Sequence, residues 1–117
     1  MTPEKLSEAA RSRIQAAENA GESLAISIMT LWEIAYKNSS SRLELFMPCD
    51  RFLAELETDF VVLPVDRRIV MCAAGLGDAF PKDPMDRLIA GTALANDLIL
   101  ITADGNILKA NACKLLW

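Results

Sequence analysis

The 117-residue sequence contains no histidine. This absence excludes histidine general bases, Ser-His-Asp triads and histidine-ligated zinc. Any reaction that the protein catalyses must therefore use carboxylates, hydroxyls, amines or a hard cation.

Cysteine is scarce as well, and the sequence has three well-separated residues of this type: Cys49, Cys72 and Cys113. Because their number is odd and none belongs to a Cys-x-x-Cys pair, we expect reduced, mostly buried thiols. No apolar run is long enough to cross a bilayer, and the polar N-terminus lacks the apolar segment of a signal peptide. These features predict a cytoplasmic protein with no membrane association.

The composition is that of a folded chain, with 52% hydrophobic and 24% charged residues. This balance excludes intrinsic disorder, and the length predicts a single domain over residues 1–117. The formal net charge of −4 does not attract nucleic acid to the molecule as a whole. Nucleic-acid binding would therefore require a local basic patch.

Short apolar strands alternate with helices along the sequence. Strands are predicted at residues 24–28, 59–65, 98–101 and 113–117, and helix starts are predicted at Thr2, Thr30, Pro48, Asp66 and Asp83. The strands are continuously apolar, which is typical of a parallel sheet covered on both faces. The sequence thus predicts an α/β fold.

Residues 82–93 form the most informative segment. Asp83 has the position of an N-cap, Pro84 that of the first helical residue, and Asp86 lies in the first turn near the positive end of the helix dipole. A helix start with two carboxylates can bind a metal, or it can be only a well-capped helix.

Three acidic residues follow predicted strands in the order of the chain: Glu33, Asp86 and Asp104. Functional crevices of open α/β sheets lie at the carboxyl ends of the strands. Carboxylate oxygens without histidine suit Mg²⁺ or Mn²⁺, and a divalent cation relieves the mutual repulsion of clustered carboxylates. We therefore predict a metal site formed by these residues.

Each acidic residue also has a structural interpretation. Glu33 can complete a capping box with Thr30, Asp83 can serve only as a cap, and Asp86 can simply favour the helix dipole.

The segment after the last long apolar strand is open to two interpretations as well. Asp104 precedes a glycine, as in many turns. Thr102 can be an ordinary strand-end residue, or it can orient Asp104 by a hydrogen bond. Trp32 and Phe80 are expected in the core or in an interface rather than as platforms for a substrate.

Taken together, residues 27–35, 83–93 and 101–104 resemble the signature blocks of PIN-domain ribonucleases, and most closely those of VapC toxins from bacterial toxin–antitoxin pairs. The blocks occur in the order and with the spacing of that family over nearly the whole chain. The resemblance implies a three-layer α/β/α domain with a mostly parallel sheet.

The same resemblance implies a Mg²⁺- or Mn²⁺-dependent endoribonuclease that cuts RNA, often tRNA or rRNA. It assigns catalytic and metal-binding roles to Glu33, Asp86 and Asp104, a weaker ligand role to Asp83, and supporting roles to Thr102 and Arg87. It further implies a VapB-like antitoxin as partner, and a homodimer. Four basic residues are candidates for RNA phosphates or for ordinary surface charge: Lys37, Arg42, Lys82 and Arg87.

One element of the family pattern has no counterpart in this sequence. The family begins with an apolar strand ending in an aspartate, which is the first metal ligand, whereas residues 1–6 resemble the segment after that strand. We therefore expect an N-terminally truncated PIN-like domain that lacks this strand. The alternative function is a catalytically inactive PIN-like module that binds other proteins.

Overall fold

The computed structural model describes residues 6–117. Its elements in chain order are α1 (Glu8–Asn19), β1 (Ala25–Ser27), α2 (Ile28–Ser39), α3 (Cys49–Asp59), β2 (Val61–Leu63), α4 (Arg67–Ala74), α5 (Pro84–Ala95), β3 (Leu100–Ile101), α6 (Gly105–Ala110) and β4 (Leu115–Leu116). The parallel strands are separated by one or two helices, in agreement with the predicted α/β fold.

The first helix starts later than the sequence pattern predicts. Ser7 is the N-cap of α1, and its hydroxyl accepts a hydrogen bond of 3.0 Å from the backbone N–H of Ala10. The predicted cap Thr2 lies outside the described residues, and Leu6 precedes the helix instead of belonging to it. Gly21, with φ of 74°, follows the helix end as expected, because glycine adopts this conformation without steric cost.

The second helix starts earlier than predicted. Its N-cap is Ser27, whose hydroxyl accepts a hydrogen bond of 3.1 Å from the N–H of Met29. The prediction that Thr30 caps this helix is therefore wrong, and Ile28 belongs to the helix rather than to the preceding strand. Serine and threonine are both good caps, so their side chains alone did not decide between the two positions.

The four strands form two separate parallel pairs. Ala25 lies opposite Val61 in the β1–β2 pair, and Leu100 lies opposite Leu115 in the β3–β4 pair. All four strands are shorter than the apolar runs that predict them. Only residues opposite a partner strand join a hydrogen-bond ladder, and the flanking Ile99 stays exposed.

The closest helix packing joins α4 and α5. Gly91 of α5 lies against Ala73 and Ile69 of α4, in a contact with no room for a larger side chain. A second core cluster consists of Phe80, which is 1% exposed, together with the buried Ala90 of α5 and Ile107 of α6. These contacts hold the middle of α5, whose N-terminus carries the acidic motif.

No helix among residues 6–117 combines the length and the apolar character that a membrane span requires.

Candidate active site

The start of α5 has the local geometry that its sequence predicts. Asp83 is the N-cap, and its Oδ1 accepts a hydrogen bond of 2.8 Å from the N–H of Met85. Pro84 is the first helical residue, and Asp86 lies in the first turn as a partly buried carboxylate. Asp83 thus acts as a cap, and one of its oxygens is already engaged.

The next residue, Arg87, donates hydrogen bonds to backbone carbonyls of the loop before the helix. Its Nε donates to the carbonyl of Pro81 at 3.0 Å, and its Nη2 donates to Gly77 at 2.8 Å and Phe80 at 3.2 Å. Its Nη1 donates to the carbonyl of Ala73 at 3.3 Å. The guanidinium of Arg87 is therefore engaged by four backbone carbonyls, and its assignment to RNA phosphate stays a prediction.

The segment after β3 joins a threonine and an aspartate. Asp104 is the N-cap of α6, and its Oδ1 accepts hydrogen bonds from the N–H groups of Asn106 at 2.8 Å and Ile107 at 3.2 Å. Thr102 Oγ1 accepts a hydrogen bond of 3.2 Å from the N–H of Asp104. Thr102 therefore helps to hold Asp104 in place, one of the two arrangements that the sequence left open.

Glu33 lies in the second turn of α2, not in its first turn as predicted. Because the helix begins at Ile28, the capping box with Thr30 does not form. The Glu33 carboxylate instead pairs with Lys37 one turn later, with 2.8 Å between Oε1 and Nζ. The i,i+4 spacing of the two residues is a recognised signal for such a pair, which the sequence analysis missed.

Charged side chains of these separate segments all influence the carboxylate of Asp86. Its pKa is raised above the ordinary value of 3.8, first by burial and then by the negative charges of Asp83, Asp104 and Glu33. The positive charge of Lys37 lowers it in part. The fold therefore brings three other carboxylates within electrostatic range of Asp86, although they come from three different parts of the chain.

The carboxylates match a hard divalent cation in chemistry but not in their present arrangement. Oxygen ligands suit Mg²⁺ and Mn²⁺. Among the residues described, however, no three histidine, cysteine, aspartate or glutamate side chains are grouped closely enough to hold one metal ion. Glu33 faces Lys37, while Asp83 and Asp104 accept backbone hydrogen bonds. The side chains as placed thus do not enclose a metal.

An exposed aromatic stripe on α2 was not predicted. Trp32 is 51% exposed and stacks on Tyr36 with 4.9 Å between ring centroids. Of the two places expected for Trp32, the core is excluded and an interface stays a prediction. Arg42 lies over the Tyr36 ring at 5.1 Å and donates from Nε to the Ser40 hydroxyl. Apolar residues spaced four apart on α2 were the available signal, but the sequence does not show which face is covered.

The cysteines agree in part with the expectation. None of the three forms a disulfide, and all are partly rather than mostly buried. Burial raises the pKa of the Cys113 thiol.

The parallel strands, the helices around them and the acidic residues at strand and helix ends define an α/β domain of the PIN class. The PIN domain model matches residues 1–112, and the chain belongs to this family.

Individual relatives agree with this assignment. The chain is 33% identical over 102 residues to ribonuclease VapC22 of Mycobacterium tuberculosis, an alignment covering 87% of this chain and 75% of the relative.

Its fold is similar to two solved structures. One is VapBC2 from Rickettsia felis bound to a DNA fragment from its promoter, with a TM-score of 0.67, 16% identity, and coverage of 94% of this chain and 85% of that one. The other is DNA-bound VapBC from Salmonella typhimurium, with a TM-score of 0.66, 21% identity, and coverage of 97% and 86%.

Proposed function

We propose that this chain is a VapC-type endoribonuclease that hydrolyses RNA phosphodiesters with the help of a divalent cation. The observation that carries the proposal is the position of Asp86, a partly buried carboxylate in the first turn of α5 that lies within electrostatic range of Asp83, Asp104 and Glu33. Burial and these charges raise its pKa. Clefts that combine burial with like charges are typical of functional sites, because a purely structural fold has no need to gather them. The relation to ribonuclease VapC22 supports the same assignment.

In this proposal, Asp86 lies at the centre of the site, and Glu33 and Asp104 are its other catalytic and metal-binding residues. Asp83 is a weaker ligand, because one of its oxygens caps α5. Thr102 supports the site by holding the backbone of Asp104. Arg87 supports it only indirectly, by tying the preceding loop to the first turn of α5.

The cation, Mg²⁺ or Mn²⁺, would lower the pKa of a bound water and stabilise negative charge on the phosphodiester. Glu33 can serve such a site only after its carboxylate leaves Lys37, since the two are paired at 2.8 Å. The ion pair is exposed and links residues one helical turn apart, so breaking it costs only about 0.3–0.5 kcal/mol.

We further propose a VapB-like antitoxin, tRNA or rRNA as substrate, a homodimeric state and a cytoplasmic location. The support for a protein partner is the exposed apolar stripe of Ile28, Trp32 and Tyr36 on α2, together with the fully exposed Phe46. Aromatic residues dominate the binding energy of many protein interfaces. The solved relatives named above are complexes of VapB with VapC, which supports the same kind of partner.

Cleavage of a labelled RNA by the purified chain in the presence of Mn²⁺ tests the proposal. We expect Glu33→Gln and Asp86→Asn to abolish cleavage. Glu57→Gln, an exposed glutamate of α3 with the same charge change, should leave it intact. Cleavage that persists in both site variants would refute the assigned roles.

The second candidate is a catalytically inactive PIN-like module that binds other proteins. The arrangement of the acids favours it, because no three metal-ligating side chains within residues 6–117 converge on one ion. Calorimetric titration with Mn²⁺ separates the two candidates. Binding that disappears in Asp86→Asn supports the nuclease, and absence of binding in the unmodified chain supports the inactive module.

A further inference from the structure

A surface cavity of about 390 Å³ is lined by residues 78–82, which precede α5, and by residues of α6. Its walls include the buried Phe80 and the polar side chains of Lys82, Asn106 and Lys109, with Asp78 at one side. The volume lies within the range of sites that bind small ligands or single groups of larger ones. Three of the lining side chains, those of Lys82, Asn106 and Lys109, carry hydrogen-bond donors.

Two lining residues, Lys82 and Asn106, are close neighbours of the acidic residues Asp83 and Asp104. Lys82 precedes Asp83, so their Cα atoms are about 3.8 Å apart. Asn106 follows Asp104 by two residues and donates its backbone N–H to the Asp104 carboxylate. Since the charges of Asp83 and Asp104 both reach Asp86, the cavity adjoins the proposed cleavage site.

The lysines of the cavity differ from the others in the structure. Of the four lysines among the described residues, Lys37 pairs with Glu33, and Lys114 pairs with Asp97 at 2.8 Å. Lys82 and Lys109 take part in no ion pair within the same part of the chain. Among the described residues that line the cavity, Asp78 is the single carboxylate, so the cavity carries a net positive charge. This charge stands next to the acidic residues, in a protein whose net charge is −4.

We infer that this cavity binds a backbone phosphate of the RNA strand next to the one that is cleaved, with Lys82 and Lys109 as its cationic contacts. The inference rests on the proposed ribonuclease function and extends it to the placement of the substrate. The acidic centre repels a polyanion, so the strand needs a cationic contact close by. The side-chain amide of Asn106 lies where it can donate a further hydrogen bond to the same phosphate.

Binding of a fluorescein-labelled single-stranded RNA, followed by anisotropy in EDTA over a series of NaCl concentrations, tests the inference without cleavage. Each phosphate contact contributes about 0.7 to the slope of log K against log salt for a single strand. We expect Lys82→Gln and Lys109→Gln each to reduce the slope by about 0.7. Lys82→Arg and Lys109→Arg should preserve it, because the charge is kept.

Lys114→Gln is the matched control, since it removes the same charge from a lysine outside the cavity. The inference is overturned if the unmodified chain does not bind the RNA, if neither cavity variant changes the slope, or if Lys114→Gln reduces it equally. Circular dichroism of each variant checks that the fold is retained.

The same proteins, assayed for RNA cleavage with Mn²⁺, distinguish this inference from the proposed function. Cleavage by the unmodified chain, combined with unchanged slopes in the cavity variants, rejects the phosphate site alone. Reduced slopes without any cleavage reject the nuclease and leave the cavity as an RNA-binding site.

Discussion

Gly91 lies against Ala73 so closely that a Cβ atom at position 91 would stand 3.0 Å from both the Cβ and the backbone N of Ala73. The same atom would stand 3.0 Å from the carbonyl oxygen of Ile69. Glycine in a helix interior costs about 1 kcal/mol relative to alanine. Its presence in α5 is therefore explained by the close approach to α4, not by helix formation.

We expect Gly91→Ala to destabilise the protein by about 1–3 kcal/mol, because two of the three atoms it would contact belong to the backbone and cannot rotate away. Urea denaturation measures the change. The double variant Ala73→Gly, Gly91→Ala should recover only part of the loss, since the backbone contacts remain. A Gly91→Ala protein as stable as the unmodified chain would contradict the packing described here.

Arg87→Met should destabilise the protein by about 2–3 kcal/mol, because four backbone carbonyls lose a charged donor. Arg87→Lys should recover less than half of this, since one ammonium group cannot reach acceptors on both sides of the loop. Thermal or urea unfolding measures both. Arg67→Met, at an exposed position of α4, is the control and should change the stability by less than about 0.5 kcal/mol.

The sequence was sufficient for the parts of the fold that depend on local chemistry. The cap at Asp83, the proline after it and the helix of residues 84–95 follow from nearest neighbours, and the structure has them as predicted. The predicted start of α2 was wrong by three residues, because Ser27 and Thr30 are both competent caps. Tertiary contacts decide between such sites, and the sequence does not display them.

The partners that the charged side chains contact were the least predictable part of the structure. Arg87 looks like a surface cation in the sequence, but the loop of residues 75–81 folds back so that its carbonyls surround the guanidinium. Glu33 was predicted in the first turn of α2 but lies in the second, and its pairing with Lys37 changes what it can bind. Such outcomes depend on which groups a loop or a helix face brings within 3 Å.

The raised pKa of Asp86 predicts a specific dependence of stability on pH. Because the folded protein holds this proton more tightly than the unfolded chain, the contribution of Asp86 to stability is greatest below pH 3.8 and is lost as the pH rises through its folded pKa. Asp86→Asn removes the ionised form, so it should be more stable than the unmodified chain at pH 7.

The advantage of Asp86→Asn should shrink as the pH falls towards 4, where the aspartate itself becomes neutral. Urea denaturation at pH 7 and pH 4, without divalent cations, measures the difference. Asp59→Asn provides a control, as an exposed aspartate at the end of α3. A lower stability of Asp86→Asn than of the unmodified chain at pH 7 would show that burial and like charge do not dominate at this position.

In the proposed metal site, Lys37 competes with the cation for the Glu33 carboxylate, so we expect its removal to strengthen metal binding. In Lys37→Gln, the Glu33 carboxylate loses its 2.8 Å partner, and the local negative charge around Asp86 increases. We expect tighter binding of Mn²⁺ by calorimetry, with a loss of stability of only about 0.3–0.5 kcal/mol in the absence of metal. Lys114→Gln breaks an exposed ion pair with Asp97 instead and should leave Mn²⁺ binding unchanged. If Lys37→Gln binds Mn²⁺ more weakly than the unmodified chain, the lysine organises Glu33 for the metal and does not compete with it.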